Sequence, residues 1–125
     1  MTDFDETPEA PGGLTVETND DYAPFTVLAL SGELDLQTAS QVREVALDLI
    51  RQGRDRLVVD LRRVRFIDSI GLSVLLLIRN RLGAINGDLA LVCDQPHVLR
   101  IFEMVGLATV FRLFRTIEEA AGWAA

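Results

Sequence analysis

The sequence contains no lysine, and its 125 residues include one cysteine, one histidine, one tryptophan and one tyrosine. Each shortage excludes a class of chemistry. Without lysine there is no Walker-type phosphate loop, and the glycines do not form a GxGxxG fingerprint either. Cys93 has no second cysteine to pair with, so an intrachain disulfide and a disulfide scaffold are excluded. Cys93 and His97 alone do not make a structural zinc site. A nucleophilic serine would need a histidine base, and His97 follows Pro96 in the expected first turn of a helix, where a histidine commonly faces solvent. Long apolar runs are also missing. The stretch from Leu72 to Ile78 is far too short to span a bilayer, and the acidic start of the chain is no signal peptide, so a cytoplasmic protein is expected.

What is present fits one domain with a real core, since 49% of the residues are hydrophobic. The net charge of −7 has an uneven source: residues 1–21 hold seven acids and no base, whereas the other twelve acids are matched by twelve arginines. The body is therefore neutral and the acidity belongs to the N-terminal segment. That balance argues for solubility and against nucleic-acid binding. Residues 1–13 carry Pro8, Pro11, Gly12 and Gly13, lack periodicity, and are expected to be a disordered acidic tail ahead of a domain over 14–125.

Hydrophobic periodicity over 14–125 alternates between strands and helices, which indicates an α/β or α+β layer structure. Leu14–Val16 and Phe25–Leu30 read as a hairpin around an Asn19-Asp20-Asp21 turn, and Ser31–Asp35 as a glycine turn leaving the sheet. Thr38-Ala39-Ser40-Gln41 has capping-box form ahead of an amphipathic helix ended by Gly53. Asn86-Gly87-Asp88 makes a turn, Leu89–Cys93 a strand, and Pro96 opens a helix capped by Asp94 or Gln95, with Val98, Leu99, Ile101, Phe102 and Val105 as its buried stripe. Gly106 and Leu107 close that helix in a Schellman end. Val110–Phe114 alternates as a last strand, and Thr116-Ile117-Glu118-Glu119 is a second capping box before a helix containing Trp123.

The stretch Leu57–Leu77, LVVDLRRVRFIDSIGLSVLLL, is the centre of the chain. It reads as a buried strand, a tight turn at Asp68-Ser69-Ile70-Gly71, and a buried helix. Asp68 and Ser69 are both good N-cap residues, and Gly71 sits where the first turn must approach another backbone closely or keep its surface bare. Ser69 has two readings: a plain helix cap, or a hydroxyl whose phosphate would be stabilised by the helix N-terminus and would reverse the charge of a docking surface. Glu33 and Asp35 suit caps and solvated turns better than an acid/base pair. The arginines from Arg51 to Arg65 are interrupted by Asp55 and Asp60 and lack interleaved aromatics for stacking on bases, so they read as solubilising charge. Cys93 reads as a small core residue rather than a reactive thiol.

Phe66-Ile67-Asp68-Ser69-Ile70-Gly71-Leu72, with Gly32-Glu33-Leu34-Asp35 upstream and Leu99–Leu107 downstream, resembles the STAS domain, and more narrowly the free-standing bacterial anti-sigma factor antagonists. The resemblance covers Leu14 to the C-terminus. It implies a single mixed β-sheet of four to five strands packed against about four helices, with no catalytic activity and no cofactor. It also implies that the unphosphorylated chain binds an anti-sigma factor that is a serine kinase of the histidine-kinase-like ATPase type, and so releases a sigma factor. By the same implication the kinase phosphorylates Ser69, which ends binding, and a metal-dependent serine phosphatase restores it. Asp35, Asp68, Ser69, Ile70, Gly71 and Leu72 then form the partner surface. Position 70 departs from the many members that carry a second Ser or Thr there, so only Ser69 can accept phosphate in the motif. Other STAS domains are adaptor subunits, for example beside the ATPase of a lipid-transporting ABC system, and need no phosphoacceptor. A small hydrolase built on Ser69 lacks a convincing base.

Overall fold

The computed structural model describes residues 13–123, so the expected acidic tail lies, apart from Gly13, outside the described residues, as do Ala124 and Ala125. Five strands form one mixed sheet: β1 (Leu14–Tyr22), β2 (Phe25–Leu34), β3 (Arg56–Ile67), β4 (Asp88–Val92) and β5 (Arg112–Phe114), ordered β1-β2-β3-β4-β5. The β1–β2 pair is antiparallel and every other pair is parallel. Between the strands run α1 (Ala39–Arg51), α2 (Ser69–Gly83) and α3 (Pro96–Met104), and α4 (Ile117–Gly122) follows β5.

The two faces of the sheet have separate cores, as the period-2 alternation of a strand requires. Leu57, Val59 and Leu61 of β3 point to one face and pack with Val42 and Ala46 of α1, Leu75 and Ile78 of α2, and Val98 and Phe102 of α3. Val58 points the other way and joins Phe25, Val27, Ala90 and Val92 beneath Ile117 and Ala120 of α4. The aromatic contact Phe102–Phe111, with rings 5.7 Å apart and nearly perpendicular, closes the larger core at its β5 side.

Several local expectations are corrected. β2 does not end at Leu30; it continues to Leu34, with Gly32 at φ 123° inside the strand, where the register to β3 shifts. That backbone conformation strains any L side chain, so the glycine serves a strand irregularity rather than a turn. Asn19–Asp21 is likewise part of β1. The hairpin turns at Ala23-Pro24, a cis peptide, and Asp20 is drawn into a cluster with Arg54 and the buried hydroxyl of Thr26. Val105 is exposed rather than part of the buried stripe of α3, because it follows the last helical residue. Only Arg112–Phe114 of the expected last strand pairs with β4. In the second capping box Thr116 accepts the N–H of Glu119, but the Glu119 carboxylate accepts from Arg115 rather than from the cap residue.

Other expectations hold. Leu107 N–H bonds Phe102 O and Gly106 N–H bonds Glu103 O, the two bonds of a Schellman end, and Gly53 and Arg54 close α1 in the same way on Ile50 and Leu49. Cys93 is buried, and that burial pushes its thiol above the ordinary range, which leaves it protonated and unreactive.

β3 outruns β4. Pairing between them ends at Asp60 with Val92, yet β3 continues to Ile67. The carbonyls left over on that side are taken by side chains: Gln95 donates its amide to Arg62 O and Val64 O, and His97 Nε2 lies 3.0 Å from Arg65 O. Thus Gln95, the residue before α3, caps no helix with its side chain and instead takes the place of a missing strand.

Candidate functional site

β2 and β3 lie parallel with Leu34 opposite Ile67, so the residues that follow, Asp35 and Asp68, leave the sheet side by side at its carboxyl end. This is the edge of an open α/β sheet where functional groups gather. Asp68 opens α2, and Asp35 opens the turn that leads into α1. Asp35 Oδ1 accepts from the N–H groups of Gln37 and Thr38, and its main-chain oxygen accepts from Thr38 and Ala39. The expected capping box at Thr38 is therefore wrong. The Thr38 hydroxyl, buried in the turn, donates to Glu33 O at 2.7 Å and accepts from Asp35 N–H, so Thr38 stands at the N-cap position of α1 without a side-chain cap bond, and Asp35 fixes the turn that leads into the helix.

Asp68 is the N-cap of α2, with extended backbone and Oδ1 accepting from Gly71 N–H at 2.9 Å. Its second oxygen, Oδ2, accepts from Leu36 N–H at 3.0 Å. One carboxylate thus fixes the first turn of α2 and ties it to the turn after β2. Asp68 N–H in turn bonds Leu34 O. The same strand end explains Gly71: a Cβ there would stand 2.5 Å from Leu34 O and 2.8 Å from Leu34 Cγ. Bare backbone at position 71 lets α2 sit directly on the end of β2.

Ser69 is the first residue of α2 rather than its cap, and it is exposed. The N–H groups of Ser69 and Ile70 have no acceptor within the helix, so they stand free at its positive end. One turn on, the Ser73 hydroxyl donates to Ser69 O at 2.9 Å. His97 holds a strand carbonyl, so its bond supports the end of β3 instead of serving a serine nucleophile. Among the described residues no group of three or more His, Cys, Asp or Glu side chains is placed to hold a metal.

Of the residues read as partner-binding, Asp35, Asp68, Ser69 and Ile70 come together on two adjoining turns, while Gly71, pressed on Leu34, and Leu72 are buried beneath them. Leu36 was not among those residues. It is 72% exposed, and its main chain is held by Asp68. With Ile70, 42% exposed, and Phe66, 48% exposed, it gives the rim around Ser69 an apolar character. A leucine set directly after an aspartate in a polar turn was the available signal. The arginines of 51–65 do not form one patch. Arg51, Arg54, Arg56 and Arg62 each bridge to an aspartate, Asp48, Asp20, Asp88 and Asp60 respectively. Asp60 raises the Arg62 pKa further through their hydrogen bond.

Among the described residues no helix is long and apolar enough to cross a membrane. The anti-sigma-F factor antagonist RsfB of Mycobacterium tuberculosis is 32% identical to this chain over 111 residues, covering 89% of both chains. The crystal structure of an anti-sigma factor antagonist from Mycobacterium paratuberculosis superposes with a TM-score of 0.80 at 29% identity, covering 90% of this chain and 95% of that one. The phosphorylated form of SpoIIAA, a Bacillus cell fate determinant, matches with a TM-score of 0.68 at 26% identity, covering 89% of this chain and 100% of that one. The model of the STAS domain matches residues 14–120, which takes in every strand and the body of α4, and the chain belongs to the STAS domain family.

Proposed function

We propose that this chain is an anti-sigma factor antagonist, non-catalytic, that binds an anti-sigma factor serine kinase when Ser69 carries a free hydroxyl and is released when Ser69 is phosphorylated. The observation that carries the reading is Ser69 exposed at the first position of α2, on a turn fixed by Asp68 to the neighbouring Asp35–Thr38 turn. The names of its relatives, antagonists of anti-sigma factors, support the same reading.

The chemistry is electrostatic. A serine phosphate adds about −1.5 to −2 charge at pH 7. Free N–H groups at the helix start favour it, while the Asp68 carboxylate next to it opposes it. The net result is a strongly anionic centre in a rim made apolar by Leu36 and Ile70. A partner that packs on that rim would have to bury the phosphate unpaired. A serine phosphatase returns the surface to its binding form. Ile70 offers no hydroxyl, so the motif has a single phosphoacceptor.

The test compares Ser69→Ala with Ser69→Asp for binding to the anti-sigma kinase of the same genome, by calorimetry. Ser69→Ala is expected to bind like the wild type, and Ser69→Asp to bind about a hundredfold more weakly, in keeping with an unpaired interfacial charge. Equal affinity of the two variants would refute the switch.

A further inference from the structure

A concavity lies away from Ser69, at the other end of α2. It is a cleft of about 760 Å³ between the last turns of α2 and the outer edge of β5, within the size range of small-molecule sites. Arg79, Asn80 and Gly83 line it from the helix, and Arg112, Phe114 and Trp123 from the strand and the end of α4.

The cleft carries positive charge from Arg79 and Arg112. Arg79 and Arg112 have no carboxylate partner among the described residues, a state they share with several arginines elsewhere on the surface, but here two of them line one concavity. Asp88, the one acid of the lining, is turned to Arg56. The carbonyls at the end of α2 are also occupied, by the N–H groups of Ala84, Ile85, Asn86 and Gly87, so the negative end of the helix is largely covered. Arg112 lies over the Trp123 ring at 4.2 Å, and Phe114 lies beside the same ring with centroids 6.3 Å apart. Two guanidinium groups without a carboxylate partner among the described residues thus line a cleft beside a pair of aromatic rings tilted by 39°.

We propose that this cleft binds a small flat anion, an aromatic body bearing a carboxylate or a phosphate. The anionic group is held between Arg79 and Arg112, and the ring lies against Trp123 and Phe114. Guanidinium forks suit both anions, and a stacked arginine presents its donor edge outward. An extended peptide adding to the sheet is the weaker occupant, because β5 offers only three residues of edge.

Arg79 is ten residues from Ser69 on the same helix, about 15 Å along its axis, so this binding is independent of phosphorylation and stands even if the switch at Ser69 fails. Trp123 is the only tryptophan of the chain, so its indole N–H gives one identifiable signal in a proton–nitrogen NMR spectrum of the full chain. The probes are 2-naphthoate, 2-naphthyl phosphate, inorganic phosphate and the uncharged 2-naphthalenemethanol. Saturable shifts of the Trp123 indole and of the Gly83 and Gly87 amides are expected with one or both aromatic anions. The stronger of the two identifies the headgroup. The joint Arg79→Gln and Arg112→Gln substitution is expected to weaken binding by about tenfold or more. Gly83→Phe fills the cleft from a position where an added Cβ meets nothing within 4 Å, so it blocks binding in a folded protein. Absence of saturation by either aromatic anion would overturn the proposal. So would binding that survives Gly83→Phe, equal binding of the uncharged alcohol, or a response to inorganic phosphate as strong as to the aromatic anions.

Discussion

The Asp68 carboxylate accepts the main-chain N–H of Leu36, 32 positions earlier in the chain, with the oxygen that its own helix does not use. The exposed loop after β2 is thereby locked to the turn that presents Ser69. A single side chain bonds to both turns of the site, so its removal has two consequences. Asp68→Ala should cost about 2 kcal/mol, from a lost helix cap and a second charge-assisted hydrogen bond. Asp68→Asn keeps one carbonyl oxygen and should lose about half of that. Urea denaturation of the two variants beside the wild type measures both.

Gln95 supports the same strand end from the opposite side. Its amide donates to Arg62 O and Val64 O, in the part of β3 that β4 does not reach. Gln95→Ala leaves two carbonyls unsatisfied and should destabilise by about 1–2 kcal/mol. Gln95→Glu should be worse, since it turns a carboxylate against carbonyl oxygens. If Gln95→Glu proved the milder change, the side chain would not be donating to the strand.

How much of this was legible in the sequence follows the range of the interactions. Asp68 as a cap and Gly106-Leu107 as a helix end rest on neighbours a few residues away, and each stands as read, whereas the backbone that Gly71 approaches, Leu34, lies far off in the chain and is not named by the local sequence. The Thr38 box failed because the Thr38 hydroxyl turns back to Glu33 O, while Asp35 holds the N–H groups of the preceding turn. Gly32 looked like a turn because local sequence does not show that parallel pairing with β3 carries β2 through it to Leu34. Asp20 looked like turn chemistry and is instead engaged by Arg54 and Thr26, residues whose approach depends on the sheet. Leu36 and Gln95 were missed for the same reason, as their partners lie more than thirty positions away.

The Asp20 cluster makes stability pH-dependent. Hydrogen bonds from Arg54 and then Thr26 hold the Asp20 carboxyl below its ordinary range. A depressed carboxyl contributes stability that is present above the unfolded value, about 3.9, and is lost as pH falls through the lower folded value. Unfolding free energy measured from pH 6 downward should therefore fall less steeply in Asp20→Asn than in the wild type, with the gap between the two curves closing below about pH 4. Parallel curves would mean that the cluster carries no net coupling.

Two glycines on α2 should respond in opposite directions to the same substitution. Gly71→Ala places a methyl against Leu34 O, which is main chain and cannot swing aside, so the helix must lift from β2. A loss of about 3 kcal/mol is expected, at the upper end of overpacking effects. At Gly83 an added Cβ meets nothing within 4 Å, and alanine should stabilise the helix by about 0.5 kcal/mol. Thermal melts of the pair give the sign directly, and a destabilised Gly83→Ala would mean that the last turn of α2 is strained.

Leu36 and Ile70 expose apolar surface beside Ser69 without any packing role that burial would reveal, since they are 72% and 42% accessible. Leu36→Ser should leave unfolding free energy within about 0.5 kcal/mol of the wild type, as surface substitutions do. The Leu36 N–H bond to Asp68 belongs to the main chain and survives the change. If the rim is where the anti-sigma kinase packs, the same variant should bind it about tenfold more weakly or worse, the loss typical of an interface anchor cut back to a small side chain. Ile70→Ser should show the same separation of stability from affinity and would also supply a second hydroxyl. Kinase treatment followed by mass spectrometry would then show whether that hydroxyl accepts phosphate beside Ser69. Unchanged affinity in both variants would move the docking surface away from the Ser69 rim.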